Sequence, residues 1–220
     1  MITLHHCLNA RSFRSLWTLE EVGAPYELKI WPFPPRVRDK SYYAINPLGT
    51  VPALVDGETL MTESAATCQY LAARHSPGVV DVGVNEPAYG AYLNYLHQGE
   101  ATLTFPQTLV LRYAHFEPPE RRLPQAADDY AKWFLARLKP LGPRMATREF
   151  VCADRFTAAD ISVAYALMLG ETLRLHDQFP PEVLAYWRRL QQRPGHQRAL
   201  AAQAAAAQAQ GIVHKPLLGD

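Results

Sequence analysis

A chain of 220 residues can bury a sizeable core and has room for one or two domains. Its 22 Lys and Arg nearly balance its 21 Asp and Glu, and the formal charge of +1 comes with no basic run, so nucleic acid is not an expected partner. No apolar run approaches the ~20 residues of a membrane span, and residues 1–6 pattern as a strand rather than a leader, so no membrane association is expected and the location is read as cytoplasmic. Cys7, Cys68 and Cys152 are odd in number and widely spaced, which suits neither a disulfide framework nor a metal site, and they read as buried thiols.

Residues 2–7 alternate apolar and polar side chains, as do residues 26–30, and both stretches predict strands. Between them Phe13, Leu16, Leu19 and Val22 recur at helical spacing, with Asn9 as the expected N-cap and Gly23 followed by Pro25 as the stop. Strand, helix, strand of this length predicts a right-handed parallel crossover. Residues 32–38, Pro-Phe-Pro-Pro-Arg-Val-Arg, read as an irregular loop at the rim of a pocket. The run 46–54, Asn-Pro-Leu-Gly-Thr-Val-Pro-Ala-Leu, then leads into a strand. Pro52 has no N–H for a ladder, and an X-Pro bond that can go cis turns the Val51 backbone outward, leaving its N–H and C=O for a ligand. Asp56-Gly57, between residues 53–55 and 59–61, is a strong two-residue hairpin signal. Glu63-Ser64 opens a helix over 65–75 whose free N–H groups and positive dipole end favour a carboxylate. This order is thioredoxin-like, and it assigns residues 1–78 to a first, α/β domain.

After a turn-rich stretch over 76–85 every segment is helical in pattern, so residues 86–211 are expected to form an all-helical second domain, with 212–220 as a surface tail. Pro87 suits the start of a long helix that Pro106 kinks or breaks, and 121–146 supply a second long segment. Thr157 with Asp160 forms a capping box, and Phe156 with Ile161 a hydrophobic staple, at the head of a helix apolar on nearly all sides. Residues 181–192 and 195–210 complete the bundle, the last helix being Ala/Gln-rich and ended by Gly211.

With these segments in order, the chain resembles the glutathione S-transferase family over nearly its whole length. The resemblance rests on Arg11-Ser12-Phe13-Arg14, on residues 19–26 (Leu-Glu-Glu-Val-Gly-Ala-Pro-Tyr), on Asn46-Pro47 through Val51-Pro52-Ala53-Leu54, on Glu63-Ser64, and on residues 156–160. The first domain is most similar to bacterial and fungal members with an Arg-Ser start to the first helix. The resemblance implies a glutathione transferase fold, glutathione as co-substrate, a small apolar electrophile as second substrate, a role in detoxification, and a homodimer. It further implies that Val51, before Pro52, pairs its backbone with the cysteinyl part of glutathione. Glu63 would take the γ-glutamyl ammonium, while Ser64 and the helix N-terminus take the carboxylate.

Members that use a hydroxyl carry Ser or Thr just after the first strand, where this chain has Asn9 and Ala10. A glutathione thiol of pKa ~8.5 must nonetheless be held as thiolate. Asn9 and Ser12 as hydrogen-bond donors and Arg11 as a charge are the candidates. Two other readings stay open. One is a disulfide or peroxide reductase, in which Cys7 forms a mixed disulfide with glutathione, although such members place the cysteine later, at the helix start. The other is a non-catalytic binding or scaffold protein. His5 and His6 alternate along the strand, one inward and one outward. An acceptor pocket walled by Tyr92, His97, Glu100, Phe105, Arg112, Tyr113 and Phe116 is expected between the domains.

Overall fold

Strand β1 (Ile2–His6), helix α1 (Phe13–Val22) and strand β2 (Tyr26–Ile30) form the expected strand–helix–strand unit in the computed structural model, which describes residues 1–213. The two strands are parallel, with Ile2 opposite Tyr26 and His6 opposite Ile30. Gly23 ends α1 in the left-handed region at φ 67°, its N–H reaching the Leu19 carbonyl at 3.0 Å. Strand β3 (Ala53–Asp56) lies antiparallel on the other side of β1, and β4 (Thr59–Met61) pairs with β3 around Gly57 at φ 61°, so the sheet order is β2-β1-β3-β4. Helix α3 (Ser64–His75) follows and packs beside α1. The Phe33–Pro34 and Val51–Pro52 peptide bonds are cis.

Residues 32–38 are more regular than their prolines suggest. A single helical turn, α2 (Pro35–Arg38), sits there and a 3-10 turn (Lys40–Ala44) follows. Pro35 occupies the first helical position, where a missing N–H costs nothing.

The described residues divide into two units, one of Met1–Gly83 with residues 191–213, the other Val84–Leu190. Helix α10 (Pro194–Ala209), which the pattern of the sequence places in the helical domain, therefore belongs with the sheet. Side-chain chemistry explains this. Arg193 makes a two-pronged pair with Glu21 of α1, 2.9 Å at each oxygen, and the Trp17 indole N–H donates to the same carboxylate. Gly195 leaves room for this contact, since a Cβ there would stand 2.5 Å from the Glu21 carboxyl carbon and push the side chain aside. Gln210 accepts from the Ile30 N–H and donates to the Leu28 carbonyl, both at 2.9 Å, closing the outer edge of β2. Of the expected tail, residues 214–220 lie outside the described residues.

In the second unit α4 (Tyr89–His97) runs into a wide π-helical turn (Gln98–Thr104) and then α5 (Phe105–Leu111). Pro106 stands in the first turn of α5, so the break expected there is present, and the π-helical turn precedes it. At Gly99 a Cβ would lie 2.5 Å from the Ser162 backbone, and the Ser162 hydroxyl donates to the Leu96 carbonyl at 2.6 Å. Residues 121–146 are likewise not one segment. They give a 3-10 turn (Pro119–Arg121), α6 (Pro124–Leu138) and α7 (Leu141–Met145), with the break at Lys139-Pro140. Helix α8 (Ala158–Thr172) is buried along nearly its whole length, and α9 (Pro181–Gln191) follows. No helix of the described residues is long and apolar enough to cross a membrane.

Asp160 does more than close the capping box at the head of α8. One of its oxygens accepts the Thr157 N–H at 2.9 Å, while the other accepts the Val151 N–H at 2.9 Å and the Tyr186 hydroxyl at 2.8 Å. Burial pushes the carboxyl up and these donors pull it part of the way back, which leaves it at about 6. Asp160→Ala strands three buried donors at once, so urea unfolding is expected to show a loss of about 3 kcal/mol or more. A loss below about 1 kcal/mol would mean the donors find other partners.

Candidate functional site

From Phe13 to Leu19 every residue of α1 is buried, so the polar side chains on it must be satisfied inside the protein. Thr18 back-bonds to the Arg14 carbonyl at 2.8 Å, and the Ser15 hydroxyl pairs with Thr67 of α3 at 2.6 Å. The Arg14 guanidinium, completely buried, donates to the Ser64 hydroxyl at 3.2 Å. Ahead of the helix the chain turns through residues 8–12. Asn9 takes φ 56° in that turn, and Ser12, not Asn9, stands at the N-cap position of α1.

A buried chain of hydrogen bonds fixes this turn, and one backbone group determines its direction. The Asn9 N–H can only donate, so the Gln203 atom 3.2 Å away is Oε1 and its amide nitrogen faces Asn9 Oδ1 at 2.7 Å. The same Gln203 Oε1 lies 3.0 Å from His6 Nε2, which must therefore carry the ring proton. His6 is fully buried and burial lowers its pKa to about 4, so the ring is neutral and Nδ1 is an acceptor. The Ser12 hydroxyl, 2.8 Å from Nδ1, donates to it and accepts the Cys7 N–H at 3.4 Å. Ser12 is thus buried with its proton committed to His6, whereas Asn9 and Arg11 are partly exposed.

At the head of α3, Glu63 is exposed, and its carboxylate makes no ion pair or side-chain cap bond among the described residues. Ser64 beside it is buried, with Arg14 behind it adding positive charge to a helix N-terminus that already carries some. Val51 sits in a buried cluster with Cys7, Ala10, Tyr42 and Ala53, which brings the turn after β1 next to it. Neither its N–H nor its C=O is bonded to another described residue. The preceding loop is held from inside. The Asn46 amide and the Tyr42 hydroxyl both donate to the Thr50 carbonyl, at 2.7 and 2.8 Å, and Gly49 packs so closely on Arg36 and Tyr43 that a Cβ would clash at 2.7 Å.

Cys7 is buried just beyond β1, and burial pushes its thiol up to about 12, so it stays protonated at neutral pH. His5 accepts from the Trp31 indole at 3.0 Å. Of the seven side chains expected to line an acceptor pocket, only His97 faces the groove of the second unit, with Leu93, Asn94, Gln98, Ala101 and Thr102. Tyr92 is buried, Phe105 and Phe116 are exposed, and Arg112 pairs with Glu117 at 2.9 Å.

Sequence reading passes over Arg14, His6 and Gln203 as site residues. Each carries a signal. Arg14 sits among Phe13, Leu16 and Trp17, His6 shares the inward alternation of Ile2 and Leu4, and Gln203 falls seven residues after His196 of α10 and seven before Gln210 just past its end.

Because His6 binds a proton at about 6.5 in the unfolded chain and only at about 4 in the fold, the unfolded state holds more protons between those values. Stability rises with pH across that window. The contribution is complete above about 6.5 and is lost as pH falls toward 4. Urea unfolding of wild type and His6→Gln at about pH 4.5 and about pH 7.5 is expected to show a pH dependence about 2 kcal/mol smaller in the variant; equal dependences would mean that His6 titrates alike in both states.

Comparison with known proteins follows the same lines. Residues 10–74 match the family model of the glutathione S-transferase N-terminal domain. The chain is 31% identical over 170 residues to glutathione S-transferase GstA of Escherichia coli O157:H7, covering 74% of this chain and 78% of that protein. Over 200 residues it is 26% identical to glutathione S-transferase 3 of Schizosaccharomyces pombe, covering 86% and 82%. Among solved structures, the glutathione transferase URE2P8 of Phanerochaete chrysosporium with oxidized glutathione superposes with a TM-score of 0.80 at 18% identity, covering 94% of this chain and 96% of that one. A glutathione transferase of Methylococcus capsulatus gives 0.80 at 24% identity, covering 93% and 100%. The structural likenesses establish the fold, a thioredoxin-like domain joined to a helical one, and the identity with GstA over most of both chains establishes that this chain belongs to the glutathione S-transferase family.

Proposed function

We propose that this protein transfers the sulfur of glutathione to a small apolar electrophile. The observation that carries the reading is the head of α3, where an exposed Glu63 carboxylate, with no ion pair among the described residues, stands beside a buried Ser64 backed by the Arg14 guanidinium. A γ-glutamyl end carries an ammonium and a carboxylate on one carbon, and this pairing of charges suits both. The unbonded N–H and C=O of Val51, before Pro52, suit the cysteinyl amide group as an added strand would. Asn9 would supply a hydrogen bond and Arg11 a positive charge to the sulfur; with its proton on His6, Ser12 serves the same end by holding the turn. In the reaction the thiol proton leaves to solvent and the thiolate attacks an electrophilic carbon. A C–S bond forms as the leaving group departs with its electron pair, or as an activated double bond takes up a proton.

The protonated, buried Cys7 gives no support to a mixed-disulfide reductase, which needs a thiolate within reach. Membership of the family is what supports a homodimer, a cytoplasmic location and a detoxifying role for this chain.

Titration calorimetry tests the reading. Wild type is expected to bind glutathione, Glu63→Ala to lose most of that binding, and Ser64→Ala to bind about 1–2 kcal/mol more weakly through loss of a charge-assisted hydrogen bond. No binding to wild type would overturn the proposal, and unchanged affinity in both variants would move the ligand elsewhere.

A further inference from the structure

Gln203 belongs to the last helix, far along the chain from the turn after β1, and nothing about an Ala/Gln-rich helix marks it as part of a ligand site. In the fold it is almost fully buried and has both ends of its amide engaged at that turn. Its oxygen takes the Asn9 N–H at 3.2 Å and the His6 Nε2–H at 3.0 Å, and its nitrogen donates to Asn9 Oδ1 at 2.7 Å. Two donors converge on one oxygen, so the amide cannot turn over without facing nitrogen against N–H groups.

A side-chain amide presents an acceptor on one branch and a donor on the other, and only the donor stabilises a thiolate. With Oδ1 held toward Gln203, the donor Nδ2 is on the opposite branch of Asn9. The Asn9 backbone at φ 56° is uncommon for a residue with a side chain, and the bond from its N–H to Gln203 helps to hold it there. We propose that Gln203 is the positioning residue for Asn9: it selects the amide orientation that offers Nδ2, rather than Oδ1, to the sulfur of bound glutathione. This rests on the proposed function above, in that glutathione is taken as the ligand and Asn9 as the donor.

Gln203→Glu is the sharpest perturbation. A carboxylate of the same shape still accepts from His6 and from the Asn9 N–H but cannot donate to Asn9 Oδ1. The Asn9 amide is then driven to turn over, bringing its oxygen to the sulfur. Gln203→Met keeps the volume without either hydrogen bond and serves if the buried carboxylate prevents folding. The measurement is the ultraviolet thiolate absorbance of protein-bound glutathione as a function of pH, for wild type, both Gln203 variants, Asn9→Ala, and the double variant Asn9→Ala with Gln203→Met. The expected result is a bound-thiol pKa raised by about one unit in each folded Gln203 variant, by a similar amount in Asn9→Ala, and no further in the double variant. A purely structural role for Gln203 would lower glutathione affinity or stability without moving the pKa, or would add to the Asn9→Ala effect, and either result overturns the proposal. The wild-type arm separates the two levels: if wild type binds glutathione with a lowered thiol pKa that Gln203 variants leave unchanged, only the positioning role fails, whereas absence of binding or of any lowering removes the transferase reading and this one together.

Discussion

Burial of α1 is the constraint on which the first unit depends. A helix with no solvent face, from Phe13 to Leu19, cannot leave a hydroxyl or guanidinium to water, so each polar group on or just before it must be met inside the protein. Ser12 is met by His6 of β1, Ser15 by Thr67 of α3, Arg14 by Ser64 of α3, and Trp17 by Glu21, which Arg193 then clasps. These bonds tie the sheet, α3 and α10 to one central helix. They also converge on the two places where a ligand's polar ends would be held, the turn after β1 and the head of α3.

That convergence joins stability to function in one set of groups. The neutral His6 satisfies a buried hydroxyl and, through Gln203, bears on the conformation of Asn9. Arg14 satisfies a buried position and at the same time adds charge behind Ser64. Changes to His6 or Arg14 are therefore expected to alter both folding and binding, and only Glu63, exposed and outside the network, separates the two cleanly.

Local patterns in the sequence are enough to read much of this. The period-two strands, the Gly23 stop, the Asp56-Gly57 hairpin, the Glu63-Ser64 helix start and the Thr157–Asp160 box each depend on neighbours within a few residues, and each appears where the pattern puts it. What the pattern does not carry is contact between distant segments. Gln203 and Asn9 are separated by most of the chain, and composition marks α10 as an ordinary bundle helix; its place beside the sheet depends on the pairing of Arg193 with Glu21 and on Gln210 at the edge of β2. Asn9 reads as an N-cap because its residue type favours that role, but the turn runs three residues further and leaves Ser12 at the helix start. The π-helical turn ahead of Pro106 is missed for a similar reason, since the close approach of Gly99 to Ser162 is visible only once the helices are packed.

The central claim is that the unbonded Val51 backbone and the first turn of α3 together cradle glutathione. Amide spectra of isotopically labelled protein, titrated with glutathione, address it residue by residue. The expected result is a saturating shift of the Val51 N–H together with those of Ser64 to Thr67 at a common midpoint. Saturating shifts confined to the second unit, or none at all, would contradict it.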